Sequence, residues 1–210
     1  MVEPKFFETI APLYDFLTKL FMGGTYESMR KRMLNEDTSQ MEILDLCCGT
    51  GYISNTINAK RIVGLDQSDA MLARNAKVKR PNKELIKGNA YQVQFKDGEF
   101  DRIYNSSASH EFKLFSRLLQ KSYQALKPGG KIIIFDIYQP KNRILSFFMN
   151  TFVRYVVERG IMFVHTKEEW RQMLTEAGFE VEELESVRGL YIFVKAVKPL
   201  QGKLPLTAAG

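Results

Sequence analysis

Short apolar runs, separated by polar or glycine-containing turns, dominate the first two-thirds of the chain. Five of these runs have the length of buried strands: 43–46, 61–65, 84–87, 100–105 and 131–137. Three segments between them have the composition of helices: 52–59, 68–76 and 112–126. Lys127-Pro128-Gly129-Gly130 is a signal for the end of the third helix. Strands that alternate with helices predict right-handed βαβ units and a parallel sheet.

The last quarter of the chain has a different pattern. A helix is predicted over 166–177, with Thr166 as its N-cap and Glu169 at the reciprocal position of a capping box. Two apolar runs follow, 179–187 and 190–197, and so short a connection makes them an antiparallel pair. The predicted fold class is therefore α/β: a single doubly wound, Rossmann-like, seven-stranded sheet, mostly parallel, with an antiparallel C-terminal hairpin.

The turn after the first strand, Gly49-Thr50-Gly51, carries the strongest functional signal. A strand, a glycine turn and a helix start bring backbone N–H groups and a positive dipole end to one point. Asp66 ends the second strand, where doubly wound folds hold a ribose diol. The pattern predicts a nucleotide-type pocket. The dinucleotide fingerprint expects a third glycine where this chain has Ser54, which disfavours NAD.

Composition narrows the class of protein. With 210 residues, 45% of them hydrophobic, the chain has the size and core of one domain. The net charge of +6 permits RNA or an anionic membrane surface as a partner, although its lysines are typical of a solvated face. Cys47 and Cys48 are adjacent and the only cysteines, which predicts no disulfide framework or metal site. Neither a secretory signal nor an apolar run of about 18 residues is evident, so we expect a cytoplasmic protein.

Six segments, taken together, resemble the class I S-adenosylmethionine-dependent methyltransferases. Within that class, the chain is most similar to the ubiquinone/menaquinone biosynthesis C-methyltransferase family. The segments occur in the family's order: FETIAPLYDFL (7–17), LDLCCGTG (44–51), GLDQSDAML (64–72), GNAYQVQFKDGEFD (88–101), ALKPGGKIIIFDIYQP (125–140) and EEWRQMLTEAGFE (168–180).

The resemblance implies S-adenosylmethionine as the cofactor, with the methionine part over the glycine turn. It places Asp45 near the cofactor's ammonium and Asp66 on the ribose hydroxyls. The expected cofactor-binding residues are Tyr14, Asp45, Gly49, Thr50, Gly51, Asp66, Gln67, Met71, Asn89, Ala90 and Ser106. Alternatives stay open: Asp45 as an acceptor for the turn's own N–H groups, and Tyr14 and Met71 as packing residues.

Two candidate bases, His110 and Glu111, follow the fourth strand, beside the expected methyl group. A base is needed when the nucleophile carries a proton. The structural alternatives are that His110 caps the following helix or bonds to backbone, and that Glu111 is a favourable charge at a helix start. The quinone methyltransferases tend to carry an Arg-Asn pair here, so the difference puts a quinone-precursor acceptor in doubt. No metal is expected.

The resemblance also predicts a domain layout. A methyltransferase domain covers 1–198, with an N-terminal helical cover over 1–40 and an acceptor-side insert over 141–165; a loose tail occupies 199–210. The insert's apolar residues recur at three- and four-residue spacing: Ile144, Phe147, Phe148, Thr151, Phe152 and Tyr155. This pattern suits a lid over an apolar or aromatic acceptor, quinone- or lipid-like and taken from a membrane surface. Core packing or a dimer face is the alternative.

The expected function is methylation of a small-molecule acceptor by a monomer or homodimer. The competing readings are an RNA or protein methyltransferase and a non-catalytic cofactor-binding subunit. Nucleic acid is disfavoured, because the fourth strand ends in Asn105-Ser106-Ser107. The motif that grips a flipped base amine has two prolines and an aromatic residue there.

Overall fold

The computed structural model describes residues 8–9, 11–140, 142–148, 151 and 162–200. Its strands are β1 (Glu42–Leu46), β2 (Arg61–Asp66), β3 (Lys83–Lys87), β4 (Phe100–Ser106), β5 (Leu126–Ile137), β6 (Glu180–Val187) and β7 (Tyr191–Val197). Its helices are α1 (Tyr14–Met33), α2 (Tyr52–Thr56), α3 (Asp69–Asn75), α4 (Phe115–Ala125), α5 (Arg143–Phe148) and α6 (Lys167–Glu176), with a 3₁₀ turn at Ser109–Glu111.

The seven strands form one sheet in the order β3-β2-β1-β4-β5-β7-β6. The first five pair in parallel, whereas β7 pairs antiparallel with both β5 and β6. Leu44 of β1 pairs with Val63 of β2 on one side and Ile103 of β4 on the other. This topology confirms the predicted fold class. It also makes β1 the strand at which the chain order reverses, where open α/β sheets bind ligands.

Helices cover both faces of the sheet, which explains why its central strands are mostly buried on both sides. Ile43 and Leu44, neighbours in β1, belong to different buried clusters, as alternation along a strand requires. One cluster includes Tyr26 of α1, and the other includes Phe115 of α4 and Trp170 of α6. Burying each large apolar side chain contributes about 1.5–3 kcal/mol to folding stability. The two clusters therefore hold the strands and their ends in fixed positions.

Strand β5 begins earlier than the sequence predicted. Lys127-Pro128-Gly129-Gly130 was expected to end a helix ahead of a strand over 131–137, but α4 ends at Ala125 and β5 starts at Leu126. Leu126 pairs with Phe100, and the register then shifts. Gly129 adopts φ +76°, its N–H donates to Lys198 O at 2.8 Å, and Lys198 N donates back to Gly130 O. The glycines thus join a strand irregularity rather than a helix cap.

Two predicted helices are shorter in the structure. The segment 52–59 is helical only over Tyr52–Thr56, because Ile57 is already extended. The segment 112–126 becomes α4, which begins at Phe115 after the 3₁₀ turn at Ser109–Glu111. The capping box of α6 is confirmed: Glu169 N donates to Thr166 Oγ1 at 3.2 Å, and Thr166 N donates to Glu169 Oε2 at 2.7 Å.

The predicted insert and tail are only partly described. Ile144 and Phe147 lie on α5 and are 80% and 72% exposed. Phe152 and Tyr155 lie outside the described residues, as do 1–7 of the N-terminal cover and 201–210 of the tail. The domain bounds remain a prediction. Across the described ranges, no helix has the length and apolar character needed to cross a membrane.

Candidate active site

A cleft opens at the carboxyl ends of β1, β2 and β4. Its volume is about 550 Å³, including the open solvent at its mouth. Within the described part of the chain, it is lined by Tyr14, Cys47, Gly49, Leu65, Asp66, Gln67, Met71, Gly88, Ala90, Ser106, Ser107, Ala108, Glu111 and Phe112. The cleft therefore straddles β1, at the switch point of the sheet.

Asp66 organises the strand ends around the cleft. Its Oδ2 accepts a hydrogen bond from Gly49 N at 2.8 Å, and its Oδ1 accepts one from Ser68 N at 2.9 Å. Burial raises the pKa of Asp66, although the amides of Ser68, Gly49 and Gln67 oppose this. Each carboxylate oxygen has further acceptor capacity. Asp66 can therefore fix the glycine turn and still face a diol in the cleft.

Two residues of the glycine turn point their polar groups away from the cleft. Gly51 N donates to Cys48 O at 2.9 Å, and the Thr50 hydroxyl donates to Asp15 Oδ1 at 2.6 Å. Neither Thr50 nor Gly51 lines the cleft. The Thr50 hydroxyl and the N–H groups of Gly49 and Gly51 thus already donate within the protein, and the binding of a ligand by this turn stays a prediction.

Asp45 lies beneath the turn rather than in the cleft. Its side chain is 2% exposed and accepts a hydrogen bond from Ser54 N at 2.9 Å. Burial raises its pKa to about 7, against the bonds from Ser54 and the charge of Arg30. This geometry favours a structural role, in which Asp45 accepts from the backbone of α2, the helix that follows the turn.

At the expected adenine end, the neighbours of Asn89 line the cleft, but Asn89 itself does not. Gly88, Ala90, Gln67 and Met71 line the cleft, whereas Asn89 does not. Asn89 Oδ1 accepts from Tyr91 N at 2.9 Å, which is an Asx turn. This oxygen already accepts one bond from the local turn, and the predicted bond from the adenine amino group to it stays a prediction.

Hydrogen bonds attach the described part of the N-terminal cover to α3. Glu8 accepts from the Ser68 hydroxyl at 2.8 Å and from Ala70 N at 3.1 Å. Asp15 forms an ion pair with Arg74 at 2.7 Å. The cover residue Tyr14 lines the cleft. These contacts place the start of α1 over the end of the cleft that holds Asp66.

His110 is bound to a buried carboxylate. It is 7% exposed, and its Nδ1 lies 2.5 Å from Asp136 Oδ1. Burial alone would raise the pKa of Asp136, but the His110 charge and hydrogen bonds from His110, Ser109 and Ile137 lower it overall. His110 does not line the cleft, whereas Glu111 does and is 9% exposed. His110 is thus held by the Asp136 side chain, a contact that the sequence did not predict, and its role as a base stays a prediction. Glu111 is the predicted base that lines the cleft.

Six lining residues were not predicted from the sequence: Cys47, Leu65, Gly88, Ser107, Ala108 and Phe112. The sequence indicated these residues only through their position, since each lies within a few residues of a predicted strand end. Ser106 and Ser107 stand out because both Oγ atoms are buried and have no hydrogen-bond partner in the described part of the chain. Buried polar groups normally have partners, so these hydroxyls are suited to a ligand.

Residues 44–134 match the family described as a methyltransferase domain. A demethylmenaquinone methyltransferase from Listeria welshimeri is 32% identical over 167 residues, covering 73% of this chain and 70% of the relative. The chain belongs to the class I S-adenosylmethionine-dependent methyltransferases. A second relative with the same name, from Thermotoga maritima, is 28% identical over 215 residues, covering 90% of this chain and 93% of its own length.

The fold of this methyltransferase is shared with solved structures. The complex of DhpI with S-adenosylhomocysteine superimposes with a TM-score of 0.72 at 18% identity, covering 95% of this chain and 96% of that chain. The methyl donor is S-adenosylmethionine. The described site fits it, because a carboxylate at the end of β2, apolar walls and two buried unpartnered hydroxyls surround one cleft.

Proposed function

We propose that this methyltransferase acts on a small aromatic acceptor with ring hydroxyls, the reduced form of a demethylated quinone. The observation that carries the proposal is the Glu111 carboxylate, nearly buried in the wall of the cleft next to Phe112. The names of the relatives from Listeria and Thermotoga support a quinone-type acceptor.

The two ends of the cleft take different parts of the reaction. Asp66, Gln67 and Met71 are proposed to hold the adenosine part of the donor, and Tyr14 to cover it. Ser106 is proposed to contact the methionine part. Glu111 and Phe112, which follow β4, are proposed to face the acceptor. We assign no catalytic contact to His110, since it is held by Asp136 outside the cleft wall.

Glu111 has a direct role in this chemistry. The donor supplies a methyl group on a positively charged sulfur. The Glu111 carboxylate accepts the proton of a ring hydroxyl, which makes the ring electron-rich at the carbon beside the oxygen. That carbon forms the new bond to the methyl group, and the sulfur keeps the electron pair of the broken bond. The ring carbon then releases its proton, and the ring oxygen takes back the proton held by Glu111. Hydroquinone and donor thus give methylated hydroquinone, the thioether and one proton.

The Glu111 carboxylate also bears on selectivity. The quinone methyltransferases tend to carry an Arg-Asn pair where this chain has His110-Glu111. A carboxylate in a nearly buried wall repels an acceptor that is itself a carboxylate. We therefore expect neutral hydroquinones to be preferred over acidic aromatic acceptors.

Methylation of naphthalene-1,4-diol under anaerobic conditions, followed by mass spectrometry, tests the proposal. Glu111→Gln keeps the shape of the side chain but removes the base, so kcat is expected to fall about 100-fold or more. Affinity for S-adenosylmethionine, measured by calorimetry, is expected to stay within about two-fold. Glu176→Gln, on the exposed face of α6, is the matched control. Full activity of Glu111→Gln would remove the proposed base.

Other features of the function remain proposals. The exposed Ile144 and Phe147 side chains, next to Arg143 on α5, support contact with an anionic membrane surface from which an apolar acceptor is taken. A cytoplasmic location and a monomeric or homodimeric state stay predictions.

A further inference from the structure

Three consecutive polar residues, at the end of β4 and just after it, have side-chain oxygens without partners among the described residues. Asn105 Oδ1, Ser106 Oγ and Ser107 Oγ are all buried, and none has a hydrogen-bond partner within the described ranges of the chain. Asn105 does not line the cleft, and its amide nitrogen donates to Leu46 O at 3.0 Å. Ser106 and Ser107 line it. Leaving buried polar groups unpaired costs folding free energy. A ligand in the cleft that bonds to these two hydroxyls would remove that cost.

Ser107 differs from Ser106 in its backbone. It adopts φ +58°, a left-handed conformation that is unfavourable for a residue with a side chain. Its N–H donates to Phe135 O at 2.8 Å, which fixes this conformation against β5. Strained residues of this kind persist where the surrounding structure determines them, and they concentrate at active sites. The strain and the unpaired hydroxyl coincide on one residue in the cleft wall.

The position of Ser107 points to the acceptor rather than to the donor. The sheet order puts β2 and β4 on opposite sides of β1, so Asp66 and Ser107 belong to opposite walls of the cleft. Ser107, Glu111 and Phe112 all line the cleft, and all three follow β4 in the chain. A hydroxyl that donates and a carboxylate that accepts, beside an aromatic side chain, match a flat ring with oxygen substituents.

We propose that Ser107 positions the acceptor by donating a hydrogen bond from Oγ to a ring oxygen. The bond strengthens as Glu111 takes the ring's proton and negative charge develops on that oxygen. Ser107 therefore selects acceptors whose ring oxygen can carry negative charge. The assignment rests on the proposed function, since it takes the hydroquinone class from there.

Two substitutions separate the hydroxyl from the backbone strain. Ser107→Ala removes the hydroxyl and keeps the strain, whereas Ser107→Gly removes both. Both variants are expected to bind naphthalene-1,4-diol about ten-fold more weakly when loaded with S-adenosylhomocysteine, measured by calorimetry. Their kcat is expected to fall about 100-fold, as after loss of one oxyanion donor. Affinity for S-adenosylmethionine is expected to stay within about two-fold. Arg188→Gly, which relieves a left-handed residue at φ +49° in the β6–β7 turn, should leave all three values unchanged.

The outcomes distinguish this proposal from the proposed function. If the wild-type protein binds the diol but does not methylate it, and Ser107→Ala weakens that binding, the reaction is wrong while the Ser107 contact stands. Equal diol affinity and kcat in wild type and Ser107→Ala overturn the Ser107 contact alone. Wild-type diol affinity and kcat in Ser107→Gly, which also lacks the hydroxyl, would overturn the hydroxyl's role. An equal loss of S-adenosylmethionine affinity in Ser107→Ala would show that Ser107 binds the methyl donor. If the wild-type protein does not bind the diol, both proposals are overturned.

Discussion

At the scale of single residues, Gly51 has the strictest steric requirement in the glycine turn. It adopts φ +93°, and a Cβ there would lie 2.4 Å from Asn75 Cγ and 2.5 Å from Asn55 Nδ2. Asn75 cannot move away easily, because it is fully buried, donates to Ser54 Oγ and accepts from Lys83 Nζ. Gly51→Ala therefore combines backbone strain with overpacking, and we expect a loss of about 2–4 kcal/mol in the free energy of unfolding, measured by urea denaturation.

Gly98→Ala is the matched control for this substitution. Gly98 also has a left-handed backbone, at φ +65°, but a Cβ there would meet only Lys127 Cα at 3.9 Å. Its expected cost is the backbone term alone, about 1 kcal/mol. Equal losses for the two variants would show that Asn75 yields and that packing does not restrict Gly51.

Residue type and position predicted which strand ends form the site, but not which atoms face it. Asp66 was placed correctly in the cleft wall because it ends a strand next to β1. Asp45, Asn89 and His110 also lie near strand ends, yet their polar atoms bond to Ser54 N, Tyr91 N and Asp136. A sequence shows that a carboxylate or an imidazole is present. Only the folded chain shows which donor or acceptor reaches it first.

At the scale of elements, the capping box at the start of α6 forms as the sequence predicts. Thr166 and Glu169 exchange hydrogen bonds between side chain and backbone, and Trp170, one residue later, is buried in the core. Thr166→Ala is expected to lower the free energy of unfolding by about 1 kcal/mol, measured by thermal or urea denaturation.

Thr175→Ala provides the comparison within the same helix. Thr175 is exposed, and its hydroxyl donates only to Arg171 O, one turn back. Alanine has the higher helix propensity, so this variant should be neutral or slightly more stable. A loss at Thr175 as large as that at Thr166 would mean that the capping contacts do not determine the effect.

Strand lengths were less predictable from local signals than the helix cap. Lys127-Pro128-Gly129-Gly130 is typical of a helix end, but the bonds of Gly129 and Gly130 to Lys198 draw it into β5. Those bonds join residues almost 70 positions apart in the chain. Local composition therefore predicted all seven strands, and non-local pairing set where β5 begins.

At the scale of the whole molecule, the sheet order explains why the cleft forms at all. Strand β1 pairs with β2 on one side and with β4 on the other. The helices that follow β1 and β4 pack on opposite faces of the sheet, which leaves a cleft at the carboxyl end of β1. Asp66 and Glu111, 45 positions apart in the chain, then face the same cleft. The alternation of strands and helices was sufficient to predict this edge as the site. The same edge buries Asp45 beneath the cleft floor, so the stability of the fold is coupled to the charge of this residue.

The pH dependence of stability should report that coupling. The folded protein raises the pKa of Asp45 from 3.8 to about 7 because burial disfavours the charged carboxylate. Between these values the folded state binds more protons than the unfolded state, so the contribution of Asp45 to stability falls as pH rises and levels off above pH 7. Asp45→Asn cannot ionise, yet its amide oxygen can still accept from Ser54 N. Relative to wild type, this variant should gain about 3 kcal/mol of unfolding free energy between pH 5 and pH 8, measured by urea denaturation. A stability difference that stays constant over this range would show that Asp45 is charged in the folded protein throughout.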